Sequence, residues 1–328
     1  LTPDQTPAPA DTPKPGPSNL QLRTIYGLLG AALLVGSVWF SSWTFGLFFA
    51  FVQAVMLWEF YRMMRAGGYA PATWLGIGAS LFVFVTVWFL STQELGGQYG
   101  NVFFAGDSMT VYPPLGGPQS EPSPMENLWL LVRDLMKYGW LVAGGLFTVI
   151  ILLREILRWP NSGNPFINLA ITVAGLFYIG LPMSLLGIIS TGAEGYDYRR
   201  VIVLLFLIWS SDIGAYAAGK TFGKHKLAPK ISPGKTWEGF AGGVILTLAM
   251  GWALGYLIPE LPLAHRLVAA GVVAVFGPLG DLAESMLKRS VGVKDSGSIM
   301  PGHGGLLDRF DAFLLVLPVL VLLQLLAG

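Results

Sequence analysis

The chain has 328 residues, 53% of them hydrophobic and 12% charged, with a formal net charge of +1 at pH 7. Two water-soluble domains are excluded, because such domains carry about a quarter of their residues as charges, and a net charge so near zero gives no reason to expect nucleic acid as a partner. The absence of cysteine excludes disulfides, cysteine-ligated zinc and thiol catalysis. Apolar runs longer than a soluble core uses point instead to an all-α, polytopic integral membrane protein.

Leu1 to Asn19 is rich in Pro and Thr and lacks aromatic residues, which predicts a disordered tail over residues 1–20. The stretch after it does not read as a signal peptide, since Ile25 to Phe40 has no cleavage-like end and runs at once into another apolar segment. A span needs about 20 mostly apolar residues. Nine are expected: Leu22 to Phe40, Trp43 to Tyr61, Ala72 to Leu90, Gly139 to Leu157, Ile167 to Ile189, Val201 to Gly219, Trp237 to Ile258, Arg266 to Leu287 and Leu307 to Leu326. Gly277-Pro278 is expected to break the eighth. Thr92 to Glu126 reads as a long Gly- and Pro-rich loop with only acidic charges. The helices of 201–328 carry the chemistry and are expected to form one structural unit with those of 21–200.

With the N-terminus inside, fifteen of the twenty Lys and Arg residues fall on inner segments, including the five lysines from Lys220 to Lys235 and the group Lys288, Arg289, Lys294 and Arg309. Arg133, Lys137, Arg199, Arg200 and Arg266 are left outside. Glu59 and Glu155 lie near inner span ends beside Arg62 and Arg158, the arrangement of interfacial ion pairs. His225 and His265 read as solvated.

Chemistry concentrates in the last third of the chain. Trp209-Ser210-Ser211-Asp212 sets a carboxylate inside an apolar span, where ionised groups are costly and mark function more often than structure; the alternative is a partner for a buried lysine. The next loop ends in Ser232-Pro233-Gly234-Lys235-Thr236-Trp237-Glu238-Gly239. A Ser, a Lys and a Thr at a helix start suit phosphate, because free N–H groups and the helix dipole favour an anion there. Glu238 reads equally as a neighbour of a metal or base and as a first-turn carboxylate favoured by the same dipole. Gly214 to Thr221 fits the P-loop pattern, but a P-loop follows a β-strand in a soluble α/β domain, and this run closes a span. Small residues here, and Gly251 and Gly255 further on, are expected to let helices approach closely.

Ser285 to Asp311 holds four basic residues, three carboxylates, a histidine and five glycines. On a helix, Asp281, Glu284, Ser285 and Lys288 would share one face, and Asp308 and Asp311 repeat the i, i+3 spacing at the start of the last span. Between them, Pro301 to Gly305 can bring backbone N–H groups to an anion. Carboxylates for Mg²⁺ beside Lys, Arg and glycine amides for phosphate read as a phosphoryl or nucleotidyl transfer site. A basic loop that only faces anionic lipid heads would leave the carboxylates, His303 and the glycines unexplained. His303 reads evenly as a phosphate or proton-handling group and as a structural one.

Ser285, Lys288-Arg289, Lys294-Asp295, Gly297 and His303-Gly304-Gly305, followed by Asp308-Arg309 and Asp311, resemble the signature of the phosphatidate cytidylyltransferases, also called CDP-diacylglycerol synthases. Met300 stands where that family usually has Leu, Ile or Phe. The run Ser232 to Gly239 and the block Ser211 to Tyr216 are similar to further family blocks, so the resemblance covers about Val201 to the C-terminus. It implies transfer of a cytidylyl group from CTP to phosphatidate, in a multi-pass protein of a cell membrane, a bacterial inner membrane above all, working at the cytoplasmic face as a homodimer. The catalytic group expected is Asp281, Lys288, Arg289, His303, Asp308 and Asp311. Asp281, Asp308 and Asp311 would hold Mg²⁺, and K⁺ is a second ion the resemblance brings in. Substrate would be held by Ser211, Asp212, Ser232, Lys235, Thr236, Glu238, Lys294, Asp295, Gly304, Gly305 and Arg309. Two other functions compete: a CTP-dependent polyprenol or phytol kinase, and a transporter using Asp212, Asp281 and Asp311 as a pathway.

Overall fold

A computed structural model describes residues 19–92, 124–161, 163–192, 195–297 and 304–327. The N-terminal tail up to residue 18, most of the loop from Thr92 to Glu126, and Pro301, Gly302 and His303 lie outside the described residues. The helices are α1 (Asn19–Phe40), α2 (Ser42–Ala66), α3 (Thr73–Thr92), α4 (Pro124–Arg158), α5 (Pro165–Ile189), α6 (Tyr198–Phe222), α7 (Trp237–Ala253), α8 (Leu263–Ser290) and α9 (Leu307–Ala327). Two short antiparallel hairpins complete the described chain: β1 (Thr191–Gly192) with β2 (Gly195–Tyr196), and β3 (Lys226–Ala228) with β4 (Ser232–Thr236).

Every segment expected to span is helical. Among the described residues seven helices, α2, α3 and α5 to α9, are long and apolar enough to cross a membrane, against the nine expected. The protein is thus an all-α polytopic membrane protein. Large apolar side chains such as Leu47, Phe51, Trp74, Ile245 and Leu326 are exposed along these helices, as lipid contact requires.

Three local features differ from expectation or explain it. The near-absent turn between α1 and α2 works because Ser41 forms a capping box with Thr44, which satisfies amides at the start of α2 within one residue of the end of α1. Helix α4 begins fifteen residues before Gly139, since Glu126, Arg133, Asp134 and Lys137 lower the hydropathy of that stretch without breaking a helix. Helix α8 runs unbroken through Pro278. A proline costs one backbone hydrogen bond in a helix interior, and here α9 packs against the same segment, with Gly280 facing the Asp311 carbonyl so closely that a Cβ would lie 2.5 Å from it.

Glycines set the other close approaches. A Cβ on Gly214 of α6 would lie 2.6 Å from the Gly242 carbonyl of α7, so the run that imitates a P-loop is a helix-packing surface inside α6. Gly251 likewise brings α7 against Ala270 of α8, at 2.7 Å from the position of a Cβ. These contacts align α6, α7 and α8 side by side and carry the β3–β4 hairpin to the same end of the bundle as the ends of α2 and α8.

Charges sort to the two ends. At one end Arg62 of α2 donates to the Ser296 carbonyl at 3.1 Å, and Arg154 of α4 donates to the carbonyls of Ala70 and Pro71. At the other, Arg199 pairs with Glu260 at 2.5 Å and Arg266 donates to the Trp252 carbonyl at 3.1 Å. The sequence places Ser232 and Ser108 on opposite sides, although Ser108 is outside the described residues. In this cysteine-free chain, Ser232→Cys and Ser108→Cys are expected to react with a membrane-impermeant thiol reagent from opposite faces of sealed vesicles; reaction from one face alone would overturn that topology.

Candidate active site

Helix α8 presents Asp281, Glu284, Ser285 and Lys288 along one face, as their spacing dictates, and α9 runs antiparallel beside it with Asp308 and Asp311 at its start. Packing divides this row of charges into two groups, one open and one closed.

The open group is centred on Asp281. Its Oδ2 lies 2.8 Å from Lys235 Nζ, which also donates to the Pro278 carbonyl at 3.1 Å, and Ser285 Oγ donates to its Oδ1 at 3.2 Å. Strand β4 thereby lays the Ser232 to Gly239 run onto α8, two helices further along the chain. Asp212 on α6 and Asp311 on α9 both lie in the field of Asp281 and Lys235, and Arg309 adds a positive charge acting on Asp212. The Lys235 and Asp281 side chains are 23% and 45% exposed, so a ligand can part them. The Ser211 hydroxyl is buried inside α6 with no hydrogen-bond partner among the described residues.

The closed group is centred on Lys288, which is 8% exposed. Its Nζ donates to Glu284 Oε2 and to Asp308 Oδ1, both at 2.6 Å. Asp308 Oδ2 accepts from Ser296 N at 3.2 Å, Ser296 Oγ at 3.0 Å and Gly305 N at 2.8 Å. A carboxylate with this many donors is a fastener between the end of α8 and the start of α9. Lys288 therefore holds carboxylates where phosphate was expected, Asp308 stands apart from Asp281 and Asp311, and the Gly305 amide is turned inward. Gly304, with φ of 80°, takes the left-handed turn that lets the chain double back toward Asp308.

Other expected substrate contacts are also committed to structure. Thr236 caps α7 by accepting from Gly239 N at 3.1 Å. Glu238 accepts from the amides of Lys224 and His225 at 3.1 and 3.2 Å and lies 2.6 Å from His225 Nδ1, so it ties the β3–β4 hairpin to α7, while the His225 side chain stays exposed as expected. Ser232 is half-buried in β4, while Arg289, Lys294, Asp295 and Arg309 are exposed around the rim. His303 is not among the described residues.

Reading the sequence missed Glu59. It makes no interfacial pair with Arg62; it is fully buried, and it accepts from Ser296 Oγ and from the amides of Leu306 and Leu307. Glu155 pairs with Arg154 and accepts from Asn168, not Arg158. The signal for Glu59 was present, since an ionisable residue within a span is costly wherever it occurs, but the nearby arginine offered an easier partner.

The donor set suits a hard cation. Among the described residues no three acidic or histidine side chains are placed to enclose an ion by themselves. The expected three-carboxylate set of Asp281, Asp308 and Asp311 is therefore not gathered around one point.

Comparison with known proteins gives the same direction. The profile of a family described as "Cytidylyltransferase family" matches residues 21–326. A protein of Bacillus subtilis (strain 168) named phosphatidate cytidylyltransferase is 42% identical over 205 residues, 60% of this chain and 75% of that protein. Proteins of the same name from Staphylococcus saprophyticus and Staphylococcus aureus (strain COL) are each 43% identical over 159 residues, 48% of this chain and 60% of theirs. With a match over nearly its whole length, the chain belongs to the cytidylyltransferase family.

Proposed function

We propose that the protein transfers a cytidylyl group from CTP to phosphatidate, forming CDP-diacylglycerol and pyrophosphate at the cytoplasmic face of a bacterial membrane. The observation that carries this reading is the junction of Lys235 with Asp281, which joins the Ser232 to Gly239 run to the helix leading into the Ser285 to Asp311 signature, in the field of Asp311 and Asp212. Family membership and the names of the relatives support it.

Phosphatidate already carries its nucleophile, a phosphate oxygen, so no serine or cysteine nucleophile is needed. Its oxygen attacks the α-phosphorus of CTP, a new P–O bond forms, and the bond to the β-phosphate oxygen breaks to release pyrophosphate. The protein must suppress repulsion between two anions and hold the leaving group. Lys235, half-buried beside Asp281, and the exposed Arg289, Lys294 and Arg309 are the cations available to the triphosphate. Asp281 and Asp311, with Asp212 near them, would hold Mg²⁺, which when bound supplies the positive charge these carboxylates call for. The phosphatidate head would reach the rim sideways from the leaflet, its acyl chains staying in lipid. A homodimer is the assembly that goes with this reading.

Lys235→Ala is expected to lower turnover at saturating CTP by about 10²-fold, because the charge it supplies counts most in the transition state. The function itself is tested by product analysis: one pyrophosphate for each CDP-lipid is expected, and release of CDP with a phosphorylated lipid would overturn it.

A further inference from the structure

We propose that Glu59 is a positioning residue for the transfer reaction, a carboxylate lent by α2 to cap the start of α9 and tie Ser296 to it. The inference rests on the function proposed above, in that it assigns a role in that reaction.

The need for the cap is visible in the local sequence. A helix start leaves backbone N–H groups without partners, and Ser, Thr, Asp or Asn at the capping position normally accepts from them. Helix α9 begins after Gly304-Gly305-Leu306, and the Leu306 carbonyl accepts the first helical bonds from Arg309 and Phe310. A leucine there has no side-chain acceptor. Glu59 supplies one from another helix: Oε1 accepts from Leu306 N at 3.2 Å and Oε2 from Leu307 N at 2.9 Å. Its negative charge also faces the positive end of the α9 dipole.

The same carboxylate also holds Ser296, between α8 and α9. Ser296, fully buried, directs its Oγ to Glu59 Oε2 at 3.2 Å and to Asp308 Oδ2 at 3.0 Å. A Cβ on either Gly297 or Gly305 would collide with the Glu59 carboxylate, so both glycines leave room for it. Arg62, one turn along α2, donates to the Ser296 carbonyl and braces the same point. Glu59 therefore fixes where α9 starts, and with it the direction in which Asp311 faces Asp281 across the site. Its hydrogen bonds go to Ser296, Leu306 and Leu307, none of them an expected substrate contact, so its effect passes through these neighbours.

The test compares Glu59→Gln, Glu59→Ala and Ser296→Ala with the wild-type chain in detergent–lipid micelles, with Glu260→Gln at the opposite end as control. Amide hydrogen exchange and steady-state kinetics with CTP, phosphatidate and Mg²⁺ are read together. Glu59→Gln should speed exchange over 304–310 and leave α6 unchanged. It should also lower kcat by about 10²-fold while the KM for CTP changes less than about threefold, as expected for misplaced reacting groups. Glu59→Ala should be worse, and Ser296→Ala milder, since it leaves both amide bonds to Glu59 intact. Unchanged exchange over 304–310, exchange raised evenly across the bundle, or a kcat that falls only as the folded fraction falls would each overturn the proposal. If the wild-type chain makes no CDP-lipid, the functional reading fails and the catalytic part of this role falls with it, while exchange over 304–310 still decides whether the cap exists.

Discussion

Lys288→Met is expected to destabilise the protein by about 3–5 kcal/mol, the cost of stranding buried charge. The two carboxylates that Lys288 holds have no comparable second cation: Glu284 is 1% exposed, and its other oxygen, Oε1, has no hydrogen-bond partner among the described residues. Asp308 would keep its bonds to Ser296 and Gly305 but lose its counter-charge. Thermal unfolding in detergent should show a clear drop, and adding Glu284→Gln to Lys288→Met should restore part of it by removing one of the stranded charges. A Lys288→Met protein that melts with the wild type would mean that the lysine serves substrate after all and that the closed group is misassigned.

Asp281→Asn and Asp311→Asn should behave in the opposite way, keeping the fold and losing the reaction. The Lys235–Asp281 pair is partly exposed, and pairs of that kind contribute about 0–1 kcal/mol, so stability should change little. Asp311 lies in the repulsive field of Asp281 and Asp212, so an amide there relieves repulsion and should leave the melting temperature equal or higher. Turnover, by contrast, should fall by about 10²–10³-fold in each, since charge aimed at a developing transition state is hard to replace. Titration with Mg²⁺ should also show weaker activation. Wild-type turnover by Asp281→Asn at limiting Mg²⁺ would contradict the assignment.

The contrast between these substitutions also shows what was legible in the sequence. Hydropathy located every span-length helix, because lipid contact demands long apolar runs whatever the packing. Lys235 and Asp281, both singled out by residue type, meet although α7 and most of α8 separate them in sequence. Spacing could not reveal which way each side chain on the rim faces. Lys288 and Asp281 share one face of α8, yet the first is closed off by the start of α9 and the second stays open, a division made by the close approach at Gly280. The partners of Glu59 were illegible for a related reason: they lie more than two hundred residues away, and nothing near Glu59 in sequence announces a missing cap at Leu306. Thr236 and Glu238 show the converse, since the features that suit a phosphate site also suit a helix start.

The central claim is transfer at the α-phosphorus. CTP carries about four negative charges and phosphatidate about two, so the two can meet only where cations offset them. The Lys235 and Asp281 junction, with the charge of Arg309 acting on Asp212 beside it, is such a place. The direct measurement supplies CTP labelled at either the α- or the γ-phosphate to the purified protein, with phosphatidate and Mg²⁺ added or withheld. Label from the α-position should enter lipid only when both are present, and label from the γ-position should leave as pyrophosphate. Label from the γ-position in lipid, or no labelled lipid from either position, would contradict the account.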